Sequence, residues 1–191
     1  MKKVVVASDS FKGCLSSAEV ADAVAEGVHD VFPECEVVKL SVADGGEGTM
    51  DPLMAALAGE SRKVTVNDPL GRLIDASYVL INGNTAVIEM ASASGLTLLE
   101  SQERNPMLTS TYGTGELIAD ALDRGCRKFL VCIGGSATND AGMGMLQALG
   151  YRFIGTAGQV LNPCGAALED VISILTDDAH PALKVSEFIV A

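Results

Sequence analysis

Tryptophan is missing from the 191 residues, aromatic residues make up only 4%, and histidine occurs twice, at His29 and His180. Two histidines exclude a histidine-rich metal centre and give a Ser/His/Asp triad little to draw on. Basic residues are scarce as well, with 13 Lys and Arg against 25 Asp and Glu and a formal net charge of −12. No Lys/Arg cluster occurs, so the basic footprint that a nucleic-acid partner requires is lacking. The five cysteines, Cys14, Cys35, Cys126, Cys132 and Cys164, form no C-x-x-C pair and are odd in number. Reduced core thiols are therefore expected, not a disulfide framework or a zinc site. Apolar runs such as Val4 to Ala7 and Val131 to Ile133 fall far short of the roughly 20 residues of a membrane span. Met1-Lys-Lys before Val4 has the outline of a signal peptide, but Asp9, Lys12 and the brevity of the run end that reading, and a cytoplasmic protein is expected. Two nucleotide fingerprints are also absent: G-x-x-x-x-G-K-[ST], and G-x-G-x-x-G with a downstream acid. Walker-type NTPases and ordinary dinucleotide dehydrogenases are disfavoured accordingly.

What is present is a globular composition, 48% apolar, with a βα rhythm. Lys3 to Ser8 reads as a fully buried strand. Ser16 to Phe32 reads as a helix opened by a capping box of Ser16 and Glu19, with Val20, Val24, Val28 and Val31 on its apolar side. Glu36 to Val42 gives a second strand and Thr49 to Leu57 a second helix, and this βαβ order implies a parallel sheet. The rhythm then changes. Arg62 to Val66, Leu73 to Ile81 and Thr85 to Met90 are strand-like, and Asn82-Gly83-Asn84 is a hairpin signal. After a polar linker, Glu100 to Pro106, the alternation resumes with a helix over Gly115 to Asp123, stopped by Gly125, and a buried strand over Lys128 to Ile133. Tyr151 to Ile154 is a short strand, Gly155 to Gly165 a loop, and Phe188 to Ala191 an apolar run with a continuation expected beyond it. The predicted fold is α/β, with a Rossmann- or flavodoxin-like parallel sheet covered by helices on both faces and a second, smaller α/β domain containing an antiparallel insertion. Residues 1–59 with 106–150 are expected to form the first domain, and 60–105 with 151–191 part of the second.

Ligands of open α/β sheets gather at the carboxyl ends of the strands. The loops after the Val4, Val37 and Leu130 strands are expected on that one edge, forming a single phosphate-handling site. Asp9, Ser10 and Lys12 offer a carboxylate, a hydroxyl and a cation suited to a phosphoryl group or a substrate proton, or else a plain Asx turn with a solvated lysine. Asp44-Gly-Gly-Glu-Gly48 offers two carboxylates among residues that allow close backbone approach, fit for a metal or an acceptor hydroxyl, or else a tight turn. The sharpest signal is Phe129 to Gly150, in which a strand passes through Gly134-Gly-Ser-Ala-Thr-Asn-Asp140 towards a helix start that presents free N–H groups. Gly142 and Gly144 in the first helical turns each cost about 1 kcal/mol relative to alanine, so either a ligand or a packed neighbour must approach that backbone. Ser92-Ala-Ser-Gly95 adds hydroxyls, while helix capping accounts for Thr111-Tyr-Gly-Thr-Gly-Glu116.

Five segments taken together, Asp9 to Gly13, Ala43 to Thr49, Thr85 to Leu96, Tyr112 to Ile118 and Gly134 to Asp140, resemble the bacterial type-1 glycerate kinases. Members of that family are roughly twice this long, so the resemblance implies an amino-terminal half. It further implies Mg²⁺-dependent phosphorylation of D-glycerate by ATP to 2-phosphoglycerate on a two-domain α/β fold, with a small-molecule substrate, no nucleic acid or membrane partner, and a homo-oligomer as one possibility. One departure is Cys14, where a small hydroxylated residue is usual after Lys-Gly. Phosphoryl transfer needs mainly positioning and charge neutralisation, which glycine-rich amide nests, a lysine and carboxylates supply. On this reading Gly134, Gly135, Ser136, Thr138 and Asn139 contact phosphates, with Ser10, Gly45, Gly46, Ser92 and Ser94 as further binding residues. Lys12 neutralises transferred charge, Asp44 and Glu47 hold Mg²⁺ or the acceptor, and Asp9 or Asp140 orients the nucleophilic hydroxyl. The alternative is a non-catalytic module that binds a phosphometabolite or sugar acid. A Rossmann-like oxidoreductase is a weaker third reading, since the nicotinamide fingerprint is missing.

Overall fold

The computed structural model describes residues 2–11, 14–41 and 59–191. The expected helix over Thr49 to Leu57 lies outside them. β1 (Lys3–Ser8) and β2 (Glu36–Ser41) pair in parallel as a two-stranded ribbon, joined by α1 (Ser17–Val31). α1 begins where the sequence places it: the Ser16 hydroxyl accepts from the Glu19 N–H at 3.3 Å, and the Glu19 carboxylate accepts from the Ser16 N–H at 2.7 Å. Its buried face differs from the expected valine stripe. Val20, Ala21 and Ala25 are buried, while Val24 and Val31 are exposed, because small alanines let the helix axis approach the ribbon. β1 is likewise not buried throughout. Val6 is buried but Val5 is exposed, so among the described residues α1 covers one face of the ribbon.

The remaining chain is organised around a five-stranded sheet of order β3-β4-β5-β6-β9, built from Glu60–Asn67, Leu73–Ile81, Thr85–Glu89, Lys128–Cys132 and Glu187–Val190. β4 is antiparallel to both neighbours, and β5, β6 and β9 are mutually parallel. The Asn82-Gly83 signal marks the β4–β5 turn, where both residues have positive φ. This topology corrects the expected common sheet of the Val4, Val37 and Leu130 strands. β6 has both hydrogen-bonding edges occupied, by β5 and β9, and β1 and β2 pair with each other. The sheet also joins β5 to β6, strands from segments expected in separate domains. All four residues of β9 are exposed at the sheet edge, although Phe188 stacks on Phe129 with ring centroids 4.6 Å apart.

α2 (Ala91–Ser94) follows β5, and α3 (Tyr112–Asp123) packs its buried Leu117, Ile118, Ala121 and Leu122 with Val66, Tyr78, Ile88 and Phe129 of the sheet in the main core. Each such fully buried large apolar side chain is worth about 1.5–3 kcal/mol of transfer free energy. α4 (Met143–Ala148) leads to a small hairpin of β7 (Arg152–Gly155) and β8 (Val171–Leu175), whose own core contains Met143, Phe153 and Leu161. The architecture is mixed α/β.

Candidate functional site

β5 and β6 run in parallel with Glu89 opposite Cys132, so the chain leaves both strands at one edge of the sheet. The two loops then pair again above that edge. Gly95 bridges Ser136: the Leu96 N–H donates to the Gly135 carbonyl at 3.0 Å, and the Ala137 N–H to the Ser94 carbonyl at 2.9 Å. A third tie comes from Thr109, whose buried hydroxyl donates to the Ala137 carbonyl at 2.9 Å. Ser136 and Thr138 close a local turn in which their hydroxyls lie 2.8 Å apart and the Thr138 N–H donates to Ser136 Oγ at 3.1 Å. The loop of residues 134–139 is thus held from beneath and at its middle. Gly135 and Asn139 are exposed, and Gly134, Ser136 and Thr138 are half-buried. The backbone amides and hydroxyls of this partly exposed loop have the donor chemistry that phosphate oxygens require.

Asp140 sits differently. It is 1% exposed, and its carboxylate accepts from the N–H groups of Thr111 (2.8 Å), Gly142 (3.0 Å) and Gly144 (3.0 Å) and from the Thr111 hydroxyl (2.9 Å to Oδ2, 3.1 Å to Oδ1). Such a carboxylate works as a clasp, with its acceptor capacity spent inside the protein. The free helix start expected after this loop is therefore not found. α4 is only six residues long, and its leading N–H groups belong to Asp140. What approaches Gly144 is packing, not ligand: a methyl there would run into Ser110 Oγ and come within 2.6 Å of the Tyr112 nitrogen. Ser94 is also interior, fully buried with its hydroxyl 2.7 Å from that of Thr114; Ser92 remains half-buried.

At the end of β1, Asp9 and Ser10 are half-buried. Asp9 Oδ1 accepts the Ser10 N–H at 2.7 Å, and the Ser17 hydroxyl closes on the Ser8 carbonyl at 2.6 Å. Among the described residues no hydrogen bond links Asp9 or Ser10 to the loop of residues 134–139. Lys12, Asp44, Gly45, Gly46 and Glu47 lie outside the described residues. The structure thus brings Ser92, Ser94, Gly134, Gly135, Ser136, Thr138, Asn139 and Asp140 to one edge. Among the described residues no group of three or more His, Cys, Asp or Glu is placed to hold a metal ion.

Sequence reasoning passed over the first turn of α3. Thr111 makes no side-chain cap on its own helix, contrary to the capping explanation, and its hydroxyl instead bonds Asp140 and accepts the Met145 N–H at 2.9 Å. Glu116 accepts the Asn67 N–H at 2.7 Å and Asn67 Nδ2 at 3.0 Å. Glu89, 5% exposed, is a further carboxylate at this edge. Burial, and then the Glu89 charge, push the neighbouring Cys132 thiol above its usual pKa. The alternation of Thr and Gly in Thr111-Tyr-Gly-Thr-Gly was the available signal, since small residues permit the close approach of α3 to β3 and α4.

Comparison with known proteins adds a decisive observation: the model of the glycerate kinase family matches residues 4–191. The chain belongs to the glycerate kinase family. Among its relatives, the glycerate kinase of Bacillus subtilis strain 168 is 49% identical over 173 residues, which cover 90% of this chain and 45% of the relative. The glycerate 2-kinase of Escherichia coli K12 is 44% identical over 183 residues, covering 95% and 48%. A crystal structure of a protein provisionally called glycerate kinase 2, from Salmonella typhimurium LT2, superposes with a TM-score of 0.78 at 42% identity, covering all of this chain and 51% of that one. The chain spans about half the length of the curated glycerate kinases it matches. Among the described residues, no helix is long and apolar enough to cross a membrane.

Proposed function

We propose that this chain is the amino-terminal part of a cytoplasmic glycerate 2-kinase that transfers the γ-phosphoryl group of ATP to D-glycerate with Mg²⁺, giving 2-phosphoglycerate. The observation that carries the reading is the pairing of the two loops over the carboxyl ends of β5 and β6, which leaves Gly135 and Asn139 exposed and Gly134, Ser136 and Thr138 half-buried in a member of the glycerate kinase family. A relative named glycerate 2-kinase, at 44% identity, supports the 2-position. On this reading those five residues take the phosphate oxygens, with Ser92 at the rim, and Lys12 neutralises the transferred charge. Asp44 and Glu47, two hard oxygen donors three positions apart, would hold the Mg²⁺. The bound ion supplies charge neutralisation on the phosphoryl oxygens. Asp9 takes the orienting role: one of its oxygens is occupied by the Ser10 N–H, and the other would take the acceptor hydroxyl. As the glycerate oxygen forms its bond to phosphorus, the bond to the bridging oxygen of ADP breaks and the hydroxyl proton passes towards Asp9. Asp140, saturated by internal donors, holds the loop in place. The β1–α1–β2 unit would open a doubly wound, flavodoxin-like parallel layer completed in the longer protein.

Phosphorus NMR with Mg·ATP and D-glycerate, run on this chain and on the family-length protein, tests the proposal. The expected result is a 2-phosphoglycerate resonance from the family-length protein. Ligand binding without ADP release would overturn the kinase in favour of the phosphometabolite-binding module. Lys12→Met in the family-length protein is expected to lower turnover at least a hundredfold, on the order of a lost charge contact in the transition state, with the fold retained by circular dichroism. A near-normal rate removes Lys12 from the mechanism.

A further inference from the structure

We infer that Thr111 is a positioning residue for the loop of residues 134–139, acting through Asp140; the inference rests on the assignment of that loop to phosphate. β3, β5 and β6 end at the same edge of the sheet, and the amino-terminal part of α3 reaches the last residue of β3 and the segments after β5 and β6. Glu116 holds Asn67 at the end of β3, and Thr114 meets Ser94 beyond β5 at 2.7 Å. Thr111 meets Asp140 beyond β6. The three attachments differ in what they restrain. Asn67 is half-buried and Ser94 buried, and neither belongs to the loop of residues 134–139, whereas Asp140 follows that loop directly.

Thr111 commits its N–H and its hydroxyl to this junction, while its carbonyl accepts the Gly115 N–H of its own helix. Its N–H donates to Asp140 Oδ2 at 2.8 Å, its hydroxyl proton is directed to the same carboxylate at 2.9 Å, and its hydroxyl oxygen accepts the Met145 N–H at 2.9 Å. Asp140 in turn gathers Gly142 and Gly144, so one buried hydroxyl couples α3, α4 and the residue that follows the loop. Thr111 is 2% exposed, and no atom of it need touch substrate. Its role is preorganisation: amide groups aimed in advance at phosphate oxygens cost no rearrangement when the charge develops, and small misplacements of such groups lose rate steeply.

The test is Thr111→Val in the family-length protein, which keeps the shape, deletes the donor to Asp140 and strands the Met145 N–H. Thr111→Ser is its hydroxyl-restoring partner. The expected result is a tenfold or greater loss of kcat/KM with the KM for ATP raised and that for glycerate little changed. In amide NMR, the shifts of Gly134, Gly135 and Ser136 on titration with ATP should be blunted in Thr111→Val, and Thr111→Ser should restore both readouts. A lowered melting midpoint with unchanged kcat, KM and amide response would overturn the inference, since Thr111 would then be structural alone. Failure of Thr111→Ser to restore either readout would also overturn it. If Thr111→Val does not fold, Thr111→Cys, a weaker donor of similar size, is held to the same readouts. The kinase reading fails separately: should the unsubstituted protein transfer no phosphoryl group to glycerate, a loss of ATP-induced shifts in Thr111→Val still supports the positioning role, and equal shifts in both proteins overturn it.

Discussion

Replacing Gly144 by alanine sets two effects of opposite sign against each other, and the structure states which wins. Alanine is favoured over glycine inside a helix by about 1 kcal/mol, and Gly144 lies in α4. Its added methyl, however, would collide with Ser110 Oγ and lie 2.6 Å from the Tyr112 nitrogen and 2.9 Å from that of Thr111. Two of those three atoms are backbone, so α3 and α4 must separate by some tenths of an ångström. Overpacking of this kind costs about 1–3 kcal/mol. Separation also lengthens two bonds across the same gap, Thr111 N–H to Asp140 and Met145 N–H to Thr111, each worth about 1–3 kcal/mol when a buried donor is left unpaired. With partial loss of both, the net is a destabilisation of about 2–4 kcal/mol after the propensity gain. In urea, followed by far-ultraviolet circular dichroism because tryptophan is absent, the midpoint should fall by about 1 M or more at unchanged slope. An unchanged or raised midpoint would refute the close-packed junction and return Gly144 to the role of a ligand approach site.

Asp140→Asn keeps the shape but turns an amide NH₂ against an N–H donor, and is expected to cost about 2–4 kcal/mol, a thermal midpoint lower by roughly 5–10 °C, through the unpaired buried donor and the lost charge-assisted bonds; a midpoint equal to that of the unsubstituted protein would deny the clasp. Burial raises the pKa of the Cys126 and Cys132 thiols, while Cys14 is exposed, so iodoacetamide at pH 8 should label Cys14 first and the buried pair on the order of a hundredfold more slowly, as peptide mass mapping would show. The backbone and side-chain hydrogen bonds of Ser16 hold the Glu19 carboxyl below its usual pKa. A depressed folded-state value means that the capping box contributes above the unfolded-state pKa and that this contribution is lost as pH falls through the folded one. NMR titration of Glu19 should therefore give a low midpoint that returns towards that of a free glutamate in Ser16→Ala.

Local chemistry was legible wherever it was self-contained. The Ser16/Glu19 box, the Asn82-Gly83 turn and the stop of α3 at Gly125 each depend on a few adjacent residues, and each stands where the sequence puts it. Pairing between distant strands was less legible, because parallel strands of similar composition do not name their partners. Nothing in Val4 to Ala7 or Leu130 distinguishes a shared sheet from the observed separation of β1–β2 and β5–β6–β9. Gly113 and Gly115 misled in a specific way: the helix was expected to begin at Gly115, but it begins at Tyr112, and each glycine admits a neighbouring backbone. At Gly144, where the sequence left a ligand and a packed neighbour as the two readings, the structure has the packed neighbour. The exposed part of the loop after β6 was found from its Gly/Ser/Thr composition. The buried status of Asp140 and Ser94 was not, since a polar residue gives no sign of whether its donors are water or protein.

The position of β9 has a consequence for synthesis. β6 and its partner β9 are separated by roughly 60 residues of chain, and translation at 5–20 residues per second therefore delivers β9 about 3–12 s after β6. Throughout that interval one side of β6, including Phe129 and Val131, is an open apolar strand edge, the kind of surface that pairs with the wrong chain or recruits chaperones. The order in which the ribosome releases strands thus sets an interval of aggregation sensitivity for this protein.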